Sequence, residues 1–228
     1  MYIYGVKSKF SPTEKLGKKH NLFSWVTRMN KQPSFWAGYI SGDNKITKEQ
    51  IDFLHKNKCK ACFIFNEFDE LSIGMDDGIP SGILAVQRAL SLGIPQNKNI
   101  AIFAEIPYDW NVNHNWMLGY ALALKKYGYI PGFIGNTDSS INYTFGRQCS
   151  HYAQAVKSMV PELSDTIYWS TQPIIFKQPE KWEPFCPSEL LPADMALWSC
   201  GNKIIYRSNG IYANEIYTRD KHIIDFMW

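Results

Sequence analysis

Two glutamates end apolar runs in this chain. Glu67 follows "KACFIFN" and Glu105 closes "NIAIFAE". Each run is rich in β-branched and aromatic residues and is bounded by polar turn residues, the pattern of a buried strand. A carboxyl group with an apolar wall behind it has a raised pKa, as a general acid requires. A second carboxylate about 5 to 10 Å away completes the pair that glycoside hydrolysis uses. One expectation is that Glu105 acts as the acid and Glu67 as its partner; the other is that each carboxylate caps the next helix or pairs with a neighbouring Lys or Arg.

Competing chemistries leave no such trace. No G-x-S-x-G elbow is present, and the five histidines include no pair spaced for a metal. Cys59 and Cys62 have C-x-x-C spacing, but the segment runs straight into a strand with no second Cys/His pair after it, so two partly buried thiols are expected. Asp76-Asp77-Gly78 lacks calcium-loop spacing and reads as a turn. No metal and no cofactor are expected.

The elements that would position the two acids alternate along the chain. Strand-like runs at 2–6, 35–40, 60–66, 99–105, 129–136 and 165–171 are interleaved with helical periods at 21–30, 47–57, 80–92, 112–127 and 146–160. Strands apolar on both faces argue for a parallel sheet covered by helices. The first turn carries no phosphate-binding glycine loop, "MALWSC" and "HIIDFMW" bring the expected strands to eight, and "KIIYRSNGIY" is a candidate hairpin. Residues 172–194 contain five prolines and no long helical period. The reading is therefore a single (β/α)8 TIM-like barrel domain over residues 1–228, with degenerate last helices.

In such barrels the functional groups stand at the C-terminal ends of the strands. That places Lys7, Tyr39, Asn66, Asp109, Trp110, Asn136, Asp138, Trp169, Trp198 and Asp225 on one rim with the two glutamates, as substrate-binding residues. Aromatic residues make up 15% of the chain, including 8 Trp and 13 Tyr, which suits either a Trp- and Tyr-rich core or stacking platforms for sugar rings.

Bulk properties narrow the partners. The net charge is +3 and the one basic run, "EKLGKKH", is short and interrupted, so nucleic acid is not expected. No apolar run approaches the ~20 residues of a membrane-spanning helix. The first ten residues read as a strand, not a secretory signal, so a cytoplasmic location is expected, or export by a route without a cleaved signal. A glycan is the expected ligand. The sequence leaves the oligomeric state open.

The motifs resemble a known group. "YGVK", "WAGYISG", "SGILAVQRALSLGIPQNKNIAIFAE", "GYALALKKYGYIPGFIGN", "LWSCG" and "IIDFMW" follow in order the pattern of a bacterial glycoside-hydrolase-like domain family of unknown function. That family is a (β/α)8 group related to the family 25 lysozymes. The resemblance implies action on cell-wall glycan or another polysaccharide. Glu105 takes the place of the family's acid at the end of strand four, and Asp225 that of the acid in the last strand. Lys7 stands where the family carries an Asp, and Phe103 where the lysozymes carry a further Asp. An ammonium beside Glu105 would favour its ionised form and work against a general acid. Three functions follow: a hydrolase, a glycan- or peptide-binding module on the same fold without the chemistry, or a different reaction with Lys7 as base or Schiff-base former.

Overall fold

The structure is a computed structural model and describes residues 2–140, 142–206 and 210–228. Nine strands form the main sheet: β1 (Ile3–Lys7), β2 (Phe35–Tyr39), β3 (Lys60–Phe65), β4 (Ala101–Glu105), β5 (Ile130–Gly135), β6 (Ile167–Ser170), β7 (Met195–Trp198), β8 (Lys203–Tyr206) and β9 (Ile211–Thr218). Neighbours from β1 through β7 run parallel. β9 then pairs antiparallel with both β7 and β1, which closes an eight-stranded barrel, and β8 lies outside the ring as the other arm of its hairpin.

The closing strand differs from the expected one. "HIIDFMW" is not a strand: Lys221–Phe226 is a 3-10 helix, capped where the Asp220 carboxylate accepts from the His222 backbone N–H at 2.8 Å. The chain end instead seals the lower face, with Trp228 exchanging backbone hydrogen bonds with Ala61 at 2.6 and 3.0 Å. The candidate hairpin at "KIIYRSNGIY" is seen in the antiparallel pairing of β8 with β9, its residues 207–209 lying outside the described residues, and β9 supplies the eighth strand, which is therefore antiparallel.

Helices α1 (Leu22–Met29), α2 (Lys48–Lys56), α3 (Glu70–Gly74), α4 (Ile79–Ser91), α5 (His114–Lys126) and α6 (Thr144–Ser158) surround the first five strands. Their ends follow local chemistry. Thr47 and Gln50 form the expected capping box at α2, with reciprocal bonds of 3.1 and 3.4 Å. Pro80 sits in the first turn of α4. Gly128 ends α5 at φ +77, a left-handed conformation that favours glycine. No α-helix follows β6 or β7 among the described residues, so the last helices are degenerate as expected.

Strand alternation divides the core in two. One set packs inside the barrel: Phe35, Cys62, Ile64, Phe103, Ile134, Trp169, Leu197 and Ile216, with Met227 below. The other set packs between sheet and helices and includes Tyr4, Trp36, Phe63, Phe133 and Trp198. Inside the ring, large rings face glycines. A Cβ on Gly132 would fall 2.4 Å from the Phe103 ring, and one on Gly5 would fall 2.3 Å from Phe35. The interior is thus filled up to the level just below Glu105, and a cleft opens above it.

Candidate functional site

Alternation decides what faces the cleft. On β4, Ala101 and Phe103 point into the barrel, so Glu105 does too, above the Phe103 ring. On β1 the same parity turns Lys7 inward, and on β2 it turns Tyr39 inward. The three side chains meet. Lys7 Nζ forms an ion pair with Glu105 Oε1, and the Tyr39 hydroxyl donates to Oε2 at 2.5 Å. The Lys7 and Glu105 side chains are only 13% and 21% exposed, so both charges are largely withdrawn from water.

The electrostatics follow from this contact. Burial by itself raises the Glu105 carboxyl, and it is the largest single influence. The charge and hydrogen bond of Lys7, together with the Tyr39 hydrogen bond, outweigh it and leave the group below the ordinary carboxylate range. Burial and the neighbouring carboxylate push the Tyr39 phenol well above its ordinary value, so it remains a donor. The set is an ammonium–carboxylate–phenol cluster. It binds polar groups readily and is badly suited to giving up a proton.

A cleft of about 720 Å³ opens over this cluster. Asn66, Asn136 and Trp110, all expected site residues, line it with Lys7 and Glu105. Asn66 is fixed by Ser41, whose Oγ donates to its Oδ1 at 3.0 Å. Asn136 is buried and accepts from the Asp138 backbone at 3.0 Å. Trp110 packs edge-on to Phe68, ring centroids 6.5 Å apart, and Tyr108 and Phe176 add exposed rings to the lining.

Other expected residues lie elsewhere. Glu67 is one residue beyond Asn66 and so turns the other way. Its two oxygens accept from Arg88 Nη2 at 2.6 Å and Nε at 2.7 Å, a fork-to-fork pair that holds α4, not a partner for Glu105. The Asp225 carboxylate is 78% exposed beside His222 on the lower face, because β9 runs downward and delivers its successor there. Trp169 is fully buried beneath the floor, with its indole N–H on Ser199 Oγ at 2.8 Å, and Lys7 Nζ lies 6.0 Å from its ring centroid. Trp198 points outward and bonds the Pro173 carbonyl at 3.0 Å. Asp138 stabilises its own turn by accepting from the Ser140 N–H at 2.9 Å, and Asp109 is exposed on its loop outside the lining.

Sequence reasoning missed the far wall. Thr171, Gln172, Ser199, Lys203 and Asn214 also line the cleft. The signal was present for Asn214: once β9 closes the ring, strand parity turns it to the same face as Lys7, its register partner. Glu215 borders the cleft, but its carboxylate lies behind the sheet. There it accepts from Asn30 Nδ2 at 2.7 Å, the Asn202 N–H at 2.9 Å and the Tyr217 hydroxyl at 3.2 Å. Cys59 and Cys62 are free, buried thiols, pushed up by burial to about 12 and further still, respectively. Among the described residues no cluster of His, Cys, Asp or Glu is arranged for a metal, and no helix is long and apolar enough to cross a membrane.

No family model matches the chain, and no curated protein matches it by sequence. Solved structures match along nearly its whole length. An uncharacterized B. stearothermophilus protein is 24% identical, covers 99% of this chain and 100% of its own, and superposes with a TM-score of 0.79. The Tat-secreted protein Rv2525c of Mycobacterium tuberculosis, solved in complex with L-tartrate, is 12% identical over 96% of each chain, TM-score 0.57. GHIP of Streptococcus pneumoniae, a glycosyl hydrolase 25, is 9% identical over 97% of this chain and 90% of its own, TM-score 0.56. At these identities the likeness establishes the fold. The chain has the barrel architecture of a family 25 glycosyl hydrolase, the architecture to which its motifs pointed.

Proposed function

We propose that this chain is a carbohydrate-binding barrel that does not hydrolyse its ligand. One observation carries the reading. Glu105, the acid at the cleft floor, is held ionised by Lys7 and Tyr39, and no other described carboxylate points into the cleft. Most glycoside hydrolases use a protonated acid and a second carboxylate across the scissile bond. Glu67, the expected second acid, is bonded to Arg88 away from the cleft.

The same cleft has what sugar binding uses. Amides from Asn66, Asn136 and Gln172 and the rings of Trp110, Phe68 and Tyr108 line one concave surface. Hydroxyl groups exchange hydrogen bonds with such amides, and the apolar face of a pyranose stacks on such rings. Two neighbours of the same fold support the reading: one is a glycosyl hydrolase, and the other was solved with L-tartrate, a small polyhydroxylated acid.

The test combines binding and turnover. Solubilised cell-wall glycan and defined oligosaccharides are titrated into the protein and followed by calorimetry, then incubated overnight and assayed for new reducing ends. Binding without new reducing ends is the expected result. Turnover that disappears in Glu105→Gln would overturn the non-hydrolytic reading, and absence of both binding and turnover would overturn carbohydrate recognition altogether.

A further inference from the structure

The wall opposite β4 carries an ordered row of polar groups. Lys7 on β1 pairs in register with Asn214 on β9, and Asn214 pairs with Lys203 on β8. Directly paired residues of antiparallel strands project from the same face, with Cβ atoms about 4.5 to 5.5 Å apart. All three line the cleft. Two ammonium groups therefore stand at the ends of one row with a primary amide between them.

The two ends differ in charge balance. Lys7 is neutralised by Glu105. Lys203 has no carboxylate within ion-pair distance among the described residues. Its ammonium rests over the face of Tyr212, 3.7 Å from the ring centroid. Glu215 comes from the neighbouring strand, but its carboxylate lies on the other side of the sheet with Asn30, Asn202 and Tyr217. The ring quadrupole holds a cation in place without cancelling its charge. Among the described residues the cleft wall thus presents the Lys203 charge without an opposing carboxylate, beside an amide with two N–H donors.

We propose that Lys203 and Asn214 form a carboxylate subsite, and that the ligand of this cleft is an acidic sugar bearing a carboxylate of the hexuronic type. The inference rests on the carbohydrate-binding reading and narrows it. A carboxylate has two oxygens, one for the Lys203 ammonium and one for the Asn214 amide, and its negative charge matches the Lys203 cation. A neutral sugar would leave that ammonium to water. Charge-assisted hydrogen bonds of this kind are roughly twice as strong as neutral ones, so the carboxylate sets the preference.

The test uses a galacturonic acid trisaccharide, its methyl ester and a set of neutral trisaccharides. Each is titrated by calorimetry into wild type, Lys203→Gln and Lys203→Arg, with amide NMR spectra verifying that the variants stay folded. The expected result is that the free acid binds about tenfold more tightly than its ester. That preference falls to within about twofold in Lys203→Gln and persists in Lys203→Arg. Added salt weakens binding of the acid and leaves the ester unaffected. Equal affinity for acid and ester, a preference for neutral sugars, or a preference that survives Lys203→Gln overturns the subsite and leaves the carbohydrate-binding reading standing. If no trisaccharide of any kind binds, both fall.

Discussion

Lys7 and Glu105 come from strands β1 and β4, with β2 and β3 between them on one side of the ring, yet their charged groups meet inside the barrel mouth. The contact spans the floor of the cleft and converts a would-be acid into a fixed anion. Removing one partner of a buried pair leaves the other charge stranded, at a cost of about 3 kcal/mol or more. Lys7→Met is therefore expected to lose about that much stability in chemical denaturation. Lys7→Met/Glu105→Gln should recover most of the loss, because an amide next to Tyr39 carries no unpaired charge. A double variant no more stable than Lys7→Met would argue against the pair as the source of the cost.

The pH dependence has a defined sign. The Glu105 carboxyl in the folded protein lies below its ordinary value because Lys7 and Tyr39 outweigh the effect of burial. A depressed folded pKa contributes stability in full above the unfolded value of about 4.3. That contribution is lost as pH falls through the folded pKa. In Lys7→Met, burial dominates and the group moves up, so stability should rise, not fall, as the solution is acidified from neutrality toward about pH 5. Over this range the wild-type contribution of Glu105 is constant, so on acidification urea midpoints should rise in Lys7→Met relative to wild type; parallel profiles would contradict it.

Glu67 gives a contrasting case. Its side chain and that of Arg88 are 37% and 39% exposed, so the pair is screened by water despite its good geometry. Glu67→Gln is expected to change stability by less than about 1 kcal/mol and to leave ligand affinity untouched. A large loss of affinity in this variant would return Glu67 to the site.

Trp110 is the anchor ring of the cleft lining, braced by Phe68. Trp110→Ala should weaken oligosaccharide binding about tenfold, equivalent to ~1.4 kcal/mol, while the far-UV spectrum and melting behaviour stay close to wild type. Unchanged affinity would move the sugar away from this wall.

Much of the barrel was legible in the sequence because parallel strands buried on both faces leave long apolar runs, and caps such as Thr47–Gln50 mark the helices. The pairing at "KIIYRSNGIY" was legible as a candidate hairpin, but not that its second arm closes the barrel. "IYANEIYT" alternates amide, acid and aromatic groups, since Asn214 faces the cleft and Glu215 is buried behind the sheet. The apolar "HIIDFMW" looked more like a strand, yet its side chains plug the lower face from a 3-10 helix. What the sequence allowed one to place is position: Asn66, Asn136 and Trp110 line the cleft with Lys7 and Glu105, and Tyr39 bonds Glu105 at its floor. Glu67, Trp169 and Trp198 lie away from the cleft lining, for two physical reasons, direction and depth. Being near a strand end does not fix the direction of a side chain: Glu67 and Trp198 sit at outward parity, and Trp169 sits one layer too deep. Asp225 failed with the strand it was assigned to.

The central claim is that Glu105 stays ionised at the cleft floor. Carbon-13 NMR of the Glu105 side-chain carboxyl, assigned through Glu105→Gln and followed across a pH titration, measures this directly. The expected midpoint lies below the ordinary glutamate value of about 4.3 and moves upward in Lys7→Met. A wild-type midpoint near about 6, the range of a working general acid, would contradict the account and restore the hydrolase.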